Sequence, residues 1–329
     1  MRRARRATHS TPPAAAVGRV ARDYCYACAI PKHARPDMSL SIRSLHIYPV
    51  KSCAGIDLDV SPIDAAGLAH DRRWLVVAGG HFLTQRQRPE MAAIRTALTA
   101  THLQLSAPGM PPLEVPLDGS GLAGPEESVT VWRDTFTARP EGEAAARWFS
   151  DFLGQPCRLF KVDIAGAGRV VSRDWVGRWR ESHADLAAGF DDRNLFGFAD
   201  GFPLLIANQA SLDELNAQLR AKGREPVPMN RFRPNIVLDG DDLAAYDEDH
   251  LALLARGEDV RMALVKPCTR CSIPDVDQRS GRRGDEPGIT LTATRSTDLG
   301  VVFGQNAIVD ARPGAVLRVG DAISAEWNF

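Results

Sequence analysis

The chain has 329 residues, 44% of them apolar and 25% charged, and a formal net charge of −1. Those proportions belong to a globular protein of two domains or one large one. They give no global reason to expect nucleic acid as a partner. No apolar run reaches the roughly 18 residues of a membrane span.

Charge is unevenly placed. Residues 1–38 hold seven Arg and one Lys against two Asp, a balance of +6 that leaves −7 for the rest. This Arg-rich, acid-poor leader has the composition of an organellar targeting segment or of a disordered tail. It lacks the apolar core of a secretory signal. The second reading is preferred, with an ordered start near Met38, because Ser39-Leu-Ser-Ile-Arg-Ser-Leu-His-Ile opens the first strand. The six cysteines are sparse for this length. Without a secretory signal they are expected to be reduced, in a cytoplasmic protein.

From Ser41 to about Phe160 the texture is β. Ile42–Val50 alternates until Pro49. Arg73–Ala78, Gly79-Gly80 and His81–Thr84 spell a hairpin, since paired glycines supply the left-handed backbone of a tight turn. Leu103–Ser106, Leu113–Leu117 and Val129–Trp132 add short strands at the close spacing of a small barrel or sandwich. Glu141–Leu153 is a helix whose Ala144, Ala145, Trp148, Phe149 and Phe152 share one face. Residues 163–200 are polar, Arg-rich and Gly-rich, and read as a connection or a lid. Phe202–Ala207 is a buried strand, and Ser211-Leu-Asp-Glu214 is a capping box opening a helix to about Lys222. Further strands are expected at Arg233–Leu238, Val260–Val265, Ile289–Ala293, Val301–Val309 and Ala315–Val319. The fold class is α+β and β-rich, in two intimately joined parts.

Chemistry concentrates at Lys266-Pro-Cys268-Thr-Arg270-Cys271-Ser-Ile-Pro-Asp-Val-Asp277. A thiolate is the ligand form of cysteine, and nearby cations lower the pKa that controls it. The pair could be half of a zinc site, completed by Cys25 and Cys28, or a redox pair, or inert packing, or could supply one soft-metal ligand. Four thiolates suit tetrahedral zinc, but the two pairs lie over two hundred residues apart. A thioredoxin-like motif should open a helix, and Pro274 follows too soon. Single ligation to a soft metal is the preferred reading. Asp275 and Asp277 could orient or protonate a substrate, or be turn residues.

A second cluster sits at strand ends: Lys51, Ser52 and Cys53; Asp71 and Arg72; Arg86; Arg233 and Asn235. Such groups suit a phosphate or a polar ring edge, with arginine offering a bidentate fork. Each taken alone is more often a solvated strand end. The eight histidines show no metal-ligand spacing. Gly166-Ala-Gly168 lacks the third glycine of a dinucleotide fingerprint, and there is no phosphate-binding loop or nucleophile elbow.

Taken together and in order, Tyr48-Pro-Val-Lys-Ser-Cys53, Asp71-Arg72, Thr84-x-Arg86-Gln87, Phe232-Arg-Pro-Asn235, Cys268-x-Arg-Cys271 with Val276-Asp277, and Phe303-Gly-Gln305 resemble the MOSC-domain proteins. The specific likeness is to those with an N-terminal MOSC β-barrel domain, related to the amidoxime-reducing component. It covers about residues 39–329. It implies a basic tail over 1–38, an N-terminal β-barrel-like domain over 39–160 and a mostly β MOSC domain over 161–329.

The resemblance also implies a molybdenum cofactor, a pterin whose dithiolene holds molybdenum. Cys271 would be the metal ligand, and soft thiolate sulfur suits that metal. Lys51, Ser52, Arg72, Arg233, Asn235 and Arg270 would hold the pterin and its phosphate. Asp277 would join Cys271 as a catalytic group. The implied reaction is reduction of small N-hydroxylated compounds: hydroxylamines, hydroxylated bases and amidoximes. No four-cysteine [2Fe–2S] pattern is present, so electrons are expected from a separate ferredoxin- or flavin-type reductase. A different class stays open, because other MOSC proteins handle sulfur. Cys271 would then carry a persulfide.

Overall fold

The computed structural model describes residues 40–328. The basic leader, with Cys25 and Cys28, lies outside the described residues.

Seven strands close into a barrel. They are β1 (Leu40–Ile47), β2 (Leu204–Asn208), β3 (Ile236–Asp239), β4 (Leu251–Arg256), β5 (Val260–Thr269), β6 (Gly300–Ala311) and β7 (Ala322–Trp327). The ring runs β1-β3-β2-β6-β5-β4-β7 and back to β1. Only β2 and β3 in this ring pair in parallel. A parallel pair needs a crossover, and the helix Gln209–Ala221 supplies it.

The first barrel strand comes from the front of the chain, and its sequence explains how it fits. Leu40 and Ile42 alternate in one phase, Leu45 and Ile47 in the other. A register shift between Ile42 and Ser44 resets the pleat, so all four side chains are buried. A bulge of one residue has this effect on side-chain facing. The interior they enter is apolar, with Ile206, Leu264, Ala307, Leu317 and Ile323.

The rest of the first half forms two small sheets and a helix. One sheet orders Glu127–Val131, Asp134–Pro140, Arg158–Lys161, Trp74–Ala78 and His81–Phe82; the other is Arg95–Leu98, His102–Ser106 and Leu113–Pro116. The turn glycines Gly79 and Gly80 have φ 56° and 79°, the left-handed pair that the hairpin requires. Helix Glu143–Leu153 buries Ala145, Trp148, Phe149 and Leu153, while Ala144 faces solvent. The molecule is strand-rich α+β throughout.

Two sequence expectations fail locally, and two strands had none. Ile289–Ala293 is not a strand but part of the helix Gly288–Thr294. Its β-branched residues are overruled by local bonds: Asp275 Oδ1 accepts from Gly288 N at 2.8 Å, Glu286 Oε2 from Thr290 N at 2.9 Å, and the Thr292 and Thr294 hydroxyls donate one turn back. The helix at 209–221 is capped by Asn208, whose side chain accepts from Ala210 N, and not by Ser211. Ser211 is fully buried and donates to Glu248 at 2.6 Å. Finally, β4 and β7 carried no strand signal. Leu251-Ala-Leu-Leu-Ala has the composition of a helix, and only its neighbours in the ring make it a strand.

The halves are stitched by reciprocal amides. Gln85 Nε2 donates to Gln278 Oε1 at 3.0 Å and Gln278 Nε2 to Gln85 Oε1 at 2.9 Å, both buried. Tyr48 donates from its hydroxyl to Pro234 O at 3.1 Å.

Candidate functional site

A cavity of about 230 Å³ lies beside the barrel, where the first half meets the segments before β3 and after β5. Lys51, Ser52, Arg72, Arg233, Asn235, Arg270 and Cys271 all line it. Residues separated by up to 220 positions are thus brought to one place. Lys51 and Ser52 sit in the turn after β1, Arg72 just before the strand Trp74–Ala78, and Arg233 and Asn235 just before β3.

The backbone at this cavity is unusual. Among the described residues six non-glycine residues have positive φ, and three of them line the cavity: Ser52 at 69°, Arg72 at 46° and Arg233 at 58°. Left-handed backbone is disfavoured for side chains with a Cβ, and it concentrates where a structure must aim specific groups.

The side chains are held as firmly. Arg72 Nη1 donates to Asp71 Oδ2 at 2.6 Å and to Asn235 Oδ1 at 3.0 Å, and its Nη2 donates to Arg233 O at 3.1 Å. The Arg72 and Arg233 guanidiniums lie over the Tyr48 ring, 4.3 Å and 4.2 Å from its centroid. Burial pushes the Arg233 guanidinium down to about 10 and the Tyr48 hydroxyl up to about 12. Lys51 is 6% exposed and donates to Phe198 O at 2.8 Å and Asp200 Oδ1 at 2.6 Å. Burial lowers the Lys51 pKa and the Asp200 carboxylate opposes that shift. The Asp200 side chain itself is 67% exposed, so this pair reaches from the interior to the rim.

Charge decides what such a cavity attracts. Six cations line it, Lys51, Arg72, Arg86, Arg233, Lys266 and Arg270, against the single carboxylate of Asp200. Even counting Asp71 behind Arg72, the field favours an anion. Arg270 adds a buried Nε with no hydrogen-bond partner among the described residues. An orphaned buried donor costs about 1–3 kcal/mol unless a ligand accepts from it.

The two cysteines of the segment differ. Cys271 is exposed and lines the cavity. Cys268 is half-buried and accepts from Arg270 Nη1 at 3.0 Å. Cys53 and Cys157 are buried in the first half's core, and burial pushes the Cys53 thiol up to about 12. Among the described residues no group of three or more His, Cys, Asp and Glu could hold a metal ion. A metal at Cys271 must therefore bring most of its ligands with it.

Asp277, expected as a catalytic group, does not line this cavity. Its carboxylate accepts from Ser280 N at 2.8 Å and Arg231 Nη2 at 3.1 Å. Burial works to raise its pKa, but those bonds and the Arg231 charge hold it below the usual carboxylate range. It fastens a loop. Conversely Arg86 and Lys266 line the cavity without having been assigned to the cofactor, and Asp200 lines it without having been singled out at all. Arg86 stood inside a quoted motif, whereas nothing in the sequence pairs Asp200 with Lys51, 149 positions away.

The Phe303-Gly-Gln305 motif supports the wall. Phe303 stacks on the lining residue Phe232 with centroids 3.9 Å apart. Gly304 has φ 75°, and a Cβ there would lie 2.7 Å from Ile206 O. Gln305 Nε2 donates to Asp249 at 2.6 Å.

This combination of a closed barrel, a β-rich front half and a cation-lined cavity with one exposed thiol defines a MOSC-type protein. Residues 39–156 match the MOSC N-terminal beta barrel domain and residues 192–324 the MOSC domain. The chain is 31% identical over 300 residues to "Mitochondrial amidoxime reducing component 2" of Rattus norvegicus, covering 86% of this chain and 82% of that protein. It is 32% identical over 298 residues to "Mitochondrial amidoxime-reducing component 1" of Homo sapiens, with the same coverage. It is 31% identical over 277 residues to "Molybdenum cofactor sulfurase" of Oryza sativa subsp. japonica, covering 80% of this chain but 32% of that protein. The chain belongs to the MOSC-domain proteins with an N-terminal MOSC β-barrel domain, a family that includes the amidoxime-reducing components. It spans about four-fifths of those relatives and about a third of the sulfurases. Its relatives are enzymes associated with the molybdenum cofactor. Among the described residues no helix is long and apolar enough to cross a membrane.

Proposed function

We propose that this chain holds a molybdenum cofactor in the cation-lined cavity and reduces small N-hydroxylated compounds. The observation that carries the reading is the convergence of six cations and one exposed thiol on one cavity of about 230 Å³. The residues fit such a group. Lys51, Ser52, Arg72, Arg233, Asn235 and Arg270 supply donors for a pterin and its phosphate, and the orphaned Arg270 Nε gains an acceptor. Cys271 would supply one soft ligand to a metal that the dithiolene of the pterin also holds. When bound, the cofactor supplies two-electron transfer at an open metal position.

The chain's own residues do the rest. The left-handed backbone at Ser52, Arg72 and Arg233 aims donors into the cavity before any ligand arrives. Asp200 neutralises Lys51 at the rim, and an incoming phosphate can take over that role. Reduction of an N-hydroxyl group consumes two electrons and two protons, breaks the N–O bond and releases water. No dinucleotide fingerprint is present, so the electrons are assigned to a separate ferredoxin- or flavin-type reductase.

A second reading rests on the exposure of Cys271 and on the sulfurase relatives: a persulfide carried on Cys271. Analysis of purified protein separates the two. The first expects molybdenum and pterin in near-equal amounts; the second expects labile sulfane sulfur without them. Protein shown to contain molybdenum should reduce an N-hydroxylated base with a reduced viologen dye and fail with a nicotinamide cofactor alone. Failure with both donors would overturn the reductase reading.

A further inference from the structure

Of the six tryptophans, Trp132 alone is exposed. It stands in the two-residue turn between the strands Glu127–Val131 and Asp134–Pro140, with φ 58°. That left-handed backbone is glycine's, and a bulky side chain takes it up at a cost. The side chain is nevertheless fixed on three sides. Its Nε1 donates to Asp200 Oδ1 at 3.0 Å, the Arg86 guanidinium lies over its ring at 4.2 Å from the centroid, and Phe82 meets it edge-on at 5.1 Å. Trp132 is not in the wall of the cationic cavity, but Arg86 and Asp200 are.

Asp200 Oδ1 serves two donors. It accepts from Trp132 Nε1 and, at 2.6 Å, from Lys51 Nζ. Lys51 is buried at the cavity wall, whereas the Asp200 side chain is 67% exposed, so the pair can part by movement of the carboxylate alone. An anion drawn into the cavity competes with that carboxylate for Lys51 and is repelled by it. Without the carboxylate, the empty cavity would hold Lys51 as a buried and uncompensated charge.

We propose that Trp132 is a positioning residue: it holds Asp200 against Lys51 as a placeholder for the anionic group of the ligand, so that an oxyanion enters by displacing the protein's own carboxylate. Asp200 then weakens anion binding while keeping Lys51 compensated in the empty cavity. The hydrogen bond from Nε1 carries this role, not the stacking on Arg86. The strained turn is what brings the indole across from the first half of the chain to Asp200 in the second. The placeholder rests on the anion-binding part of the function proposed above, and not on molybdenum or on any reduction.

The test is isothermal titration calorimetry with inorganic pyrophosphate on the full chain free of cofactor, in wild type, Trp132→Phe, Asp200→Asn and the double variant. Phenylalanine keeps a ring for Arg86 and loses the N–H, and a thermal melt checks that each variant is folded. Asp200→Asn should bind pyrophosphate roughly 5-fold more tightly than wild type, the upper end for a partly exposed ion pair. Trp132→Phe should gain about 2-fold, and nothing further in the Asp200→Asn background, because residues that act as one unit are not additive. A residue that merely supports the fold would weaken binding in all three variants. If Asp200→Asn does not fold, the other forms still decide: pyrophosphate should change the emission of Trp132 with the calorimetric midpoint, and Trp132→Phe should lack that change. Equal or weaker binding by Asp200→Asn, a gain from Trp132→Phe that persists in the double variant, an emission that ignores pyrophosphate, or no binding to any form overturns the placeholder. Any of these in protein that takes up molybdenum and reduces N-hydroxylated bases leaves the reductase reading standing. The expected pattern in protein that never takes up molybdenum keeps the placeholder and overturns the reductase reading instead.

Discussion

Inside the barrel, Ile206, Leu254 and Ala307 are wholly shielded from water and carry no polar side-chain atom. In the adjoining cavity wall, Lys51, Arg233 and Asn235 are nearly as shielded, at 6%, 9% and 1% exposure, yet they are charged or polar. The barrel side chains are buried because burial itself is favourable, at about 25 cal/mol per Å² of apolar surface. The cavity side chains are buried against a desolvation cost that hydrogen bonds only partly offset. The first region explains why the chain folds. The second is held in a form that burial of apolar surface does not favour, with three left-handed residues and an orphaned donor, and the proposed ligand is what would draw on it.

The largest expected break of this contrast is at Cys271. Cys271→Ser should abolish molybdenum retention, because an alkoxide poorly replaces a soft thiolate. Cys268→Ser should keep much of it. Elemental analysis after gel filtration checks both, and normal molybdenum in Cys271→Ser would remove the ligand assignment. Thiol labelling sharpens the same contrast. Under native conditions iodoacetamide should modify Cys271 orders of magnitude faster than Cys53, whose thiol is buried and pushed up to about 12. Peptide mapping reads the difference, and equal rates would mean that the first half's core opens freely.

Charge reversal comes next. Arg86 lines the cavity and its guanidinium packs on Trp132, 4.2 Å from the ring centroid. Arg86→Glu should weaken cofactor retention roughly 10- to 100-fold, the range for a lost charged hydrogen bond, with little change in melting temperature. The barrel should answer in the opposite sense. Ile206→Ala should cost about 2–5 kcal/mol in denaturant unfolding. Lys51→Met should cost less, because it also removes a buried charge while leaving its exposed partner Asp200 solvated. If Lys51→Met proves the more damaging, the cavity is part of the structural core after all.

A more gradual effect is a pH slope. Burial pushes the Glu248 carboxyl up to about 7, despite the hydrogen bond from Ser211. A carboxyl raised in the folded state holds its proton there longer than in the unfolded chain. Its stabilising contribution is complete below the unfolded value near 4.5 and is lost as pH rises towards 7. The loss is on the order of 3 kcal/mol at most. Glu248→Gln should flatten that part of the stability profile, as followed by urea unfolding at pH 5, 6, 7 and 8.

What could be read from the sequence follows the range of the physics involved. The Gly79-Gly80 hairpin, the helix ending at Leu153 and the buried strand at Leu204 rest on local pattern, and all three are present. Strands β4 and β7 depend on partners far along the chain, so no local pattern could announce them. The same holds for the site. Lys51, Arg72 and Arg233 stand out in the ordered set of motifs, whereas periodicity alone leaves each as a solvated strand end, and Cys271 stands out by a thiol set among cations. Asp277 is held outside the cavity by Arg231 and Ser280, and an acidic residue six positions from a cysteine gives no hint of those partners. The helix Gly288–Thr294 is hidden in the sequence by β-branched residues that local hydrogen bonds hold in helical form.

Leu40 pairs with Ile323. The strand that leads the described residues is therefore fastened to the strand that ends them, and the barrel cannot close until residues 322–327 exist. At ribosomal speeds of about 5–20 residues per second, β1 waits for roughly 15–60 seconds for its last partner. Ring closure over so long a separation is the slow, high-contact-order kind of folding. All partners of the first half's two small sheets lie within residues 74–161, so that part of the molecule needs no such wait.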